Sequence, residues 1–271
     1  MAKTVILVGC GNMGYAMLSG WLSAGRLKPS DAHVVEPNAE LRGRAEALGV
    51  AASQSAAEIA QGEAPKLVVF AVKPQVMRDV VPPYRPFAEK GTAFVSIAAG
   101  TPIATFEDLL GSRAAIIRCM PNTPAAIGRG MMVTVSNARV AQDVGEFVNG
   151  LLSASGAVTS VDDEALMDAV TAVSGSGPAY VFHFIECLTA AGEKAGLPRD
   201  TAALLAMQTV YGAASLAAES TETPETLRRQ VTSPNGTTAA ALHVLMDDDR
   251  LKLLVEEAVE AARKRSVELG T

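Results

Sequence analysis

Residues 9–14 read Gly9-Cys10-Gly11-Asn12-Met13-Gly14, which fits the pattern GxGxxG. This stretch follows the apolar run Thr4 to Val8, which predicts a strand, and it precedes a helical pattern that begins near Met13. The first glycine permits a tight turn, the second lets the backbone approach a pyrophosphate, and the third allows the helix to pack closely on the sheet. The stretch therefore predicts a dinucleotide-binding strand–helix unit whose free N–H groups point at the anion.

Glu36 ends the second predicted strand, at the distance from the glycines where such folds carry an acidic residue. A carboxylate there accepts hydrogen bonds from the hydroxyls of the adenosine ribose and repels a 2′-phosphate, which favours NADH. Arg42 and Arg44 follow closely and would offer a phosphate site if the turn Pro37-Asn38 directed them inward. The favoured alternative places both arginines on a solvated helix face. Both NADH and NADPH therefore stay open as cofactors.

Short β-branched runs alternate with helical patterns up to about residue 160. The predicted strands are Thr4 to Val8, His33 to Glu36, Leu67 to Ala71, Ala93 to Ile97, Ala114 to Cys119, Met131 to Ser136 and Ala157 to Val161. This alternation predicts an α/β Rossmann-like domain with a doubly wound, mostly parallel sheet over residues 1–161. Beyond it, Ala, Leu, Met and Glu dominate, and residues 162–271 are predicted to form an all-α domain.

Two further loops fall at the carboxyl ends of predicted strands, where open α/β sheets bind ligands. They are Ala71-Val72-Lys73-Pro74 and Ile97-Ala98-Ala99-Gly100, and Lys73 would either steady a phosphate or ribose or be a surface charge. The rigid loop Met120 to Pro124, which follows the fifth predicted strand, is expected to form one wall of the nicotinamide site. The predicted cofactor-binding residues are Gly9, Gly11, Asn12, Met13, Gly14, Glu36, Ala71, Val72, Lys73, Pro74, Ile97, Ala98, Ala99 and Asn122.

Composition excludes several classes of function. The chain has 271 residues, 49% of them hydrophobic, and a formal net charge of −6, so we expect packed domains and no nucleic-acid partner. The three cysteines are widely spaced and predict neither a disulfide framework nor a metal site. The longest uncharged run, Thr201 to Ala218, falls short of a membrane span, and the opening segment lacks a cleavage site. We therefore expect a cytoplasmic protein.

Near the C-terminus, Ser233-Pro234-Asn235-Gly236-Thr237-Thr238 forms a turn that leads into an apolar helix. Three hydroxyls surround the first free N–H groups and the positive end of the helix dipole, an arrangement suited to a carboxylate. Ordinary helix capping requires the same residue types. The residues alone leave a ligand site and a capped helix both open.

Five segments together resemble the pyrroline-5-carboxylate reductase family, in order and spacing over nearly the whole chain. They are GCGNMG at 9–14, AVKP at 71–74, RCMPNTP at 118–124, SGSGPAY at 174–180 and VTSPNGTT at 231–238. The resemblance implies reduction of 1-pyrroline-5-carboxylate to L-proline by hydride transfer from NADPH or NADH, the last step of proline biosynthesis. Two departures are Asn235, where a glycine is usual, and Glu36, where an uncharged or basic residue is common.

The resemblance also implies which residues meet the substrate: Glu164, Gln230, Ser233, Gly236, Thr237 and Thr238. Glu164 would stabilise the iminium cation, although Asp162-Asp163-Glu164 equally fits an acidic first turn of a helix. Thr238 is the first candidate for a catalytic hydrogen-bond donor to the imine nitrogen. Thr171, which precedes the SGSGP turn, is the second.

Apolar surface on the C-terminal helices predicts an oligomer. The resemblance implies a dimer through these helices and decamers built from dimers. Two rival functions are a related hydroxyacid-type dehydrogenase, for which Lys194 is the nearest candidate acid, and a dinucleotide-binding sensor without catalysis.

Overall fold

A computed structural model describes residues 4–59 and 64–270 of the chain. The chain divides into two compact units. The first contains the described residues up to Ser176 together with those from Ala262 onward, and the second is Gly177–Ala261. The predicted functional boundary between residues 161 and 162 stays a prediction, and the first compact unit continues past it. Its outer limits, residues 1 and 271, lie outside the described residues.

Eight strands of the described residues form one sheet in the first unit. They are β1 Val5–Val8, β2 Ala32–Val35, β3 Ala51–Ser53, β4 Leu67–Phe70, β5 Ala93–Ser96, β6 Ala115–Met120, β7 Gly130–Ser136 and β8 Gly156–Ser160. Their order across the sheet is β3-β2-β1-β4-β5-β6-β7-β8. All neighbours are parallel except β6 and β7.

The helices follow the alternation in the first half and fill the second half. They are α1 Asn12–Ser23, α2 Ala39–Glu46, α3 Met77–Val80, α4 Arg85–Ala88, α5 Ile103–Leu110, α6 Gln142–Leu152, α7 Met167–Val170, α8 Gly177–Lys194, α9 Arg199–Glu219, α10 Pro224–Gln230, α11 Thr237–Met246 and α12 Arg250–Gly270. The predicted all-α second half is thus confirmed for the described residues.

The sheet is buried on both faces. Val5 and Leu7 pack in one apolar cluster with Trp21 of α1, whereas Ile6 and Val8 pack in another, on the opposite side. Successive side chains of a strand point to opposite faces, so β1 is covered by helices on both sides. This is the arrangement of a doubly wound sheet, and it confirms the predicted fold class.

Two features of the sheet departed from the predicted pattern of seven strands. The edge strand β3 was missed because its residues, Ala51–Ser53, include no β-branched or aromatic side chain. β7 runs antiparallel to β6 because only residues 121–129 connect them. Parallel neighbours require a crossover of a dozen or more residues.

The SGSGP segment is not the turn that the sequence predicted. Thr171–Gly175 forms a π-helical turn, and α8 follows from Gly177. A β carbon on Gly175 would collide with the terminal methyl of Met120, so this glycine permits the close approach. Single π-turns inserted into helices are frequent at functional sites.

The second unit leaves much apolar surface uncovered in the single chain. α8 packs along α9, where a β carbon on Gly192 would lie 3.1 Å from the β carbon of Ala202. Leu204 is 68% exposed and Leu254 is 64% exposed. α9 extends past the uncharged run at both ends, and its length and composition would allow it to cross a membrane. A core helix of an oligomer meets the same criterion.

Candidate active site

The three glycines of the GxGxxG loop have the structural roles predicted for them. Gly9 adopts φ 93°, and a β carbon there would lie 2.7 Å from the carbonyl oxygen of Ala71. A β carbon on Gly14 would collide with the carbonyl oxygen of Gly9, which explains how α1 packs so closely on the strand ends. The position of a β carbon on Gly11 has no atom within 4 Å, so the backbone there is open to a ligand.

The predicted loops meet in a cleft of about 410 Å³ at the carboxyl ends of the strands. The structure thus brings together most of the predicted cofactor residues. The lining residues are Gly11, Asn12, Met13, Ala71, Val72, Lys73, Pro74, Ile97, Ala98, Ala99, Met120, Pro121, Asn122, Thr123 and Gly175. Gly9, Gly14 and Glu36 support the glycine loop without lining this cleft, and Gly175 was not predicted.

Glu36 is buried behind the glycine loop, with 7% of its surface exposed. One carboxylate oxygen accepts the backbone N–H of Cys10 at 2.7 Å, and the other accepts that of Asn38 at 2.9 Å. Each oxygen has lone pairs beyond these two bonds, so the carboxylate can still accept ribose hydroxyls. Glu36 therefore joins the glycine loop to the end of β2.

Arg42 and Arg44 do not lie on a solvated helix face, contrary to the favoured prediction. The Arg42 guanidinium donates to the carbonyl oxygens of Glu36 and Pro37, at 2.9 and 3.1 Å. The Arg44 guanidinium lies 4.0 Å above the ring of Tyr15, a cation–π contact. The carbonyl oxygens after β2 bind Arg42 and the Tyr15 ring on α1 binds Arg44, so both arginines are only partly exposed.

The cysteine inside the glycine loop is chemically quiet. Burial, reinforced by the negative charge of Glu36 and opposed by Arg44, raises the pKa of Cys10 to about 11. Its thiol is therefore protonated at neutral pH and contributes packing rather than acid–base or nucleophilic chemistry. Burial likewise raises the pKa of Cys119, in β6, to about 12.

Asn122 fixes one wall of the cleft. Its side-chain amide donates to the carbonyl oxygen of Ser174 at 3.1 Å, and its oxygen accepts the N–H of Met131 at 2.8 Å. These bonds join the loop after β6 to the π-turn and to β7.

The Thr171 hydroxyl donates to the carbonyl oxygen of Met167 at 2.8 Å, and Thr171 is not among the residues that line the cleft.

Glu164 lies away from this cleft in the single chain. Its Oε1 is 2.6 Å from Nη1 of Arg118 and accepts the backbone N–H of Ile103 at 2.8 Å. It lines a different cleft of about 300 Å³, together with Gly100, Asp168 and Ser266. The structure thus places Glu164 beside the amino end of α5.

The loop Ser233–Thr238, in the second unit, has the backbone conformation that the sequence predicted. Asn235 adopts φ 60°, which confirms that asparagine serves where a glycine is usual. Gly236 is the N-cap of α11, and a β carbon there would collide with the Ser233 hydroxyl. Ser233 is exposed and Thr238 half-buried, and Gln230 is exposed at the end of α10. Because the N-cap residue is a glycine, no side chain caps the first turn of α11.

Among the described residues, no group of three or more His, Cys, Asp or Glu could hold a metal ion. A glycine-rich loop and an open cleft at the strand ends instead suit a dinucleotide. Fold and cleft together define a nicotinamide-dependent oxidoreductase of the Rossmann type. A family model described as NADP oxidoreductase, coenzyme F420-dependent, matches residues 3–100.

A second family model, pyrroline-5-carboxylate reductase dimerisation, matches residues 164–269. The chain is 43% identical to pyrroline-5-carboxylate reductase of Pseudomonas aeruginosa, over 98% of this chain and 96% of the relative. It is 36% identical to that of Escherichia coli, over 100% and 99%. The chain therefore belongs to the pyrroline-5-carboxylate reductase family.

Solved structures agree. A pyrroline-5-carboxylate reductase from Coxiella burnetii superposes with a TM-score of 0.93 at 33% identity, covering 100% of both chains. The Plasmodium falciparum enzyme, solved with NADP bound, has a TM-score of 0.84 at 31% identity, covering 99% of this chain and 98% of that one. Prephenate dehydrogenase from A. aeolicus, at 15% identity, shares the fold alone. Family membership sets aside the hydroxyacid-dehydrogenase and sensor hypotheses.

Proposed function

We propose that this protein reduces 1-pyrroline-5-carboxylate to L-proline with NADPH or NADH, the last step of proline biosynthesis, in the cytoplasm. The observation that carries the proposal is the cleft at the strand ends. Its walls are the segments GCGNMG, AVKP and MPNT, three of the five through which the sequence resembles the family.

The cofactor is assigned to this cleft. The open space at Gly11 suits a pyrophosphate against the N–H groups that begin α1, and Lys73, exposed at the rim, would steady a phosphate or ribose. Glu36 would accept the ribose hydroxyls, which favours NADH over NADPH. When bound, the nicotinamide supplies the hydride that reduces the imine carbon.

The walls of the cleft are assigned the task of orientation. Ala71, Ala98 and Ala99 have short side chains that let a planar ring approach the backbone. Pro74 and Pro121 stiffen the loops on either side. A rigid, apolar wall holds the reacting ring and excludes water, so that little reorganisation is needed at the moment of reaction.

The substrate carboxylate is assigned to the amino end of α11. Gly236 leaves this helix without a side-chain cap, so the N–H groups and hydroxyls of Thr237 and Thr238 are suited to an anion. Ser233 would add a hydroxyl, and Gln230 a donor or acceptor. The Thr238 hydroxyl is the proposed hydrogen-bond donor to the imine nitrogen. Thr171 is the weaker candidate, because its hydroxyl already donates within its own helix.

The assembly is assigned to the C-terminal helices. Residues 164–269 match the dimerisation model of the family, and these helices expose large apolar side chains in the single chain. A dimer through α8 to α12 would bury this surface, and decamers would form from such dimers. Sedimentation equilibrium tests the proposal: a stable, active monomer would contradict it.

The reaction is tested with purified protein, 1-pyrroline-5-carboxylate and each reduced nicotinamide in turn, by following the loss of nicotinamide absorbance. We expect oxidation of the cofactor that depends on the substrate and yields proline in equal amount. A variant with Gly11→Val serves as the matched control, since its side chain would enter the open space of the cleft. No substrate-dependent oxidation with either cofactor would refute the proposed function.

A further inference from the structure

Ile97, Ala98 and Ala99 line the cofactor cleft, and Gly100, the last residue of the same loop, contacts the end of α12. Gly100 adopts φ 73°, and a β carbon there would lie 3.2 Å from the carbonyl carbon of Leu269. A β carbon on Gly270 would lie 2.5 Å from the carbonyl oxygen of Gly100. The two backbones therefore touch directly, and neither glycine can accept a side chain without moving the loop.

A hydrogen bond anchors this end of α12. The Ser266 hydroxyl, with 4% of the residue exposed, donates to Oδ1 of Asp168 at 2.6 Å. The two residues are 98 positions apart in the chain. Because Asp168 belongs to α7, the bond holds the last turns of α12 against α7, next to Gly100.

Glu164 holds the chain three residues beyond Gly100, at the start of α5. Ile103 is the first residue of α5, and the N-cap of that helix, Pro102, has no side-chain hydrogen bond. The Glu164 carboxylate accepts the Ile103 N–H and so caps the helix from 61 positions away. A negative charge also suits the positive end of the helix dipole.

Arg118 completes the arrangement. Its side chain is 8% exposed, and its guanidinium is paired with the Glu164 carboxylate. A charge buried to this degree is costly unless it has a partner, so each member of the pair keeps the other in place. β6 thereby fixes Glu164, and Glu164 fixes the start of α5.

We propose that Glu164 is a positioning residue for the cofactor. Together with Arg118 and the end of α12, it fixes the loop Ile97–Gly100 in the shape that accepts the dinucleotide. The inference rests on the proposed function only in that the cofactor binds in this cleft. It differs from the role that the family resemblance implies, in which Glu164 borders the substrate.

The test separates cofactor binding from substrate binding. The dissociation constant of NADH or NADPH is measured by fluorescence titration without substrate, for the wild type, Glu164→Ala, Glu164→Gln and Ser266→Ala. We expect Glu164→Ala to weaken cofactor binding by about tenfold, because the loop Ile97–Gly100 is then no longer held in one conformation. Substrate KM at saturating cofactor should change by less than about twofold.

The cofactor affinities of Glu164→Gln and Ser266→Ala should lie between those of the wild type and Glu164→Ala. The side-chain oxygen of Glu164→Gln can still accept the Ile103 N–H, so we expect a smaller loss of cofactor affinity than for Glu164→Ala. Ser266→Ala removes only the anchor of α12 and should also weaken cofactor binding. Both variants retain most of the packing, so they keep the test decisive if Glu164→Ala does not fold.

Asp162→Ala and Arg265→Ala are the matched controls, since both side chains are exposed and lie close in the chain to the tested residues. We expect wild-type cofactor affinity for both. If Glu164→Ala raises substrate KM and leaves cofactor affinity unchanged, or if the controls lose cofactor affinity equally, the inference is overturned. If the proposed function itself were wrong, the result would be different: the wild-type protein would bind the cofactor but would not reduce the substrate.

Discussion

The carboxylate of Glu36 accepts the backbone N–H of Cys10 at 2.7 Å. One buried side chain thus fixes the turn of the glycine loop and places a negative charge at the end of β2. The same group therefore supports the shape of the glycine loop, and we propose that it also influences which cofactor binds there.

Glu36→Gln should shift cofactor preference toward NADPH. The amide oxygen can still accept the Cys10 N–H, whereas the bond from the Asn38 N–H is lost, and the charge that repels a 2′-phosphate is gone. We expect the ratio of kcat/KM for NADPH to that for NADH to rise by about tenfold, equivalent to ~1.4 kcal/mol. Glu40→Gln, an exposed neighbour on α2, should leave the ratio unchanged. An unaltered ratio in Glu36→Gln would show that this carboxylate does not select the cofactor.

Alanine substitutions at two glycines of the same loop should affect different properties: protein stability for Gly14 and cofactor affinity for Gly11. The added methyl of Gly14→Ala meets the carbonyl oxygen of Gly9, so we expect a loss of about 1–3 kcal/mol in the free energy of unfolding. The methyl of Gly11→Ala faces open space, so stability should change little while cofactor affinity falls. Urea unfolding at one protein concentration and cofactor titration measure the two effects. Equal destabilisation of both variants would contradict the distinction.

Thr238→Val keeps the shape of the side chain and removes the hydroxyl proposed to donate to the imine nitrogen. We expect kcat to fall by about a hundredfold, the usual scale for a positioned proton donor. Thr238→Ser should retain most activity. Cofactor affinity without substrate serves as the control and should be unchanged in both variants. Wild-type kcat in Thr238→Val would remove this residue from the mechanism.

Phe70→Ala should strongly destabilise the first unit. The ring is fully buried, edge-on to Tyr84 with centroids 5.4 Å apart and stacked with Phe94 at 6.0 Å. Removing it leaves a cavity in the cluster, and we expect a cost of about 3–5 kcal/mol in urea unfolding. Val76→Ala, at a position 42% exposed, should cost less than about 0.5 kcal/mol. A small change in Phe70→Ala would mean that the cluster repacks.

Cys10 should resist alkylation in the native protein. Its pKa is raised from 9.0 to about 11, so the reactive thiolate is scarcer than for an ordinary cysteine until the pH approaches the higher value. At about pH 8 we expect iodoacetamide to leave Cys10 unmodified and to label it after denaturation, as read by mass spectrometry of the peptide. Rapid labelling of Cys10 in the folded protein would contradict both its burial and its raised pKa.

Local chemistry explains why much of the fold could be predicted from the sequence. The run Val5–Val8 is apolar at every position, as a strand buried on both faces requires, and the glycines that follow serve a turn whose geometry excludes side chains. The loops after β4 and β5 were placed correctly at the cleft because carboxyl ends of parallel strands meet at one edge. These inferences use neighbours in the chain.

Other features depend on partners that no local pattern reveals. Arg42 and Arg44 were expected on a solvated face, yet carbonyls and the Tyr15 ring attract them. An ordinary turn was expected at SGSGP, residues 174–178, whereas Thr171–Gly175 forms a π-turn; the close approach of Met120 to Gly175 is not visible in either segment. The unpredicted direction of β7 follows from the short connection before it.

The fold class, the glycine loop and the family resemblance were predictable from the residue order, because backbone conformation and hydrophobic periodicity depend on residues close together in the chain. The pairing of Glu164 with Arg118, the capping of α5 by Glu164 and the bond from Ser266 to Asp168 became visible only in the folded chain. The partners in these contacts are 46 to 98 positions apart. A charged or polar side chain is satisfied by whichever partner the packed core brings within reach, and that choice is made in space rather than along the chain.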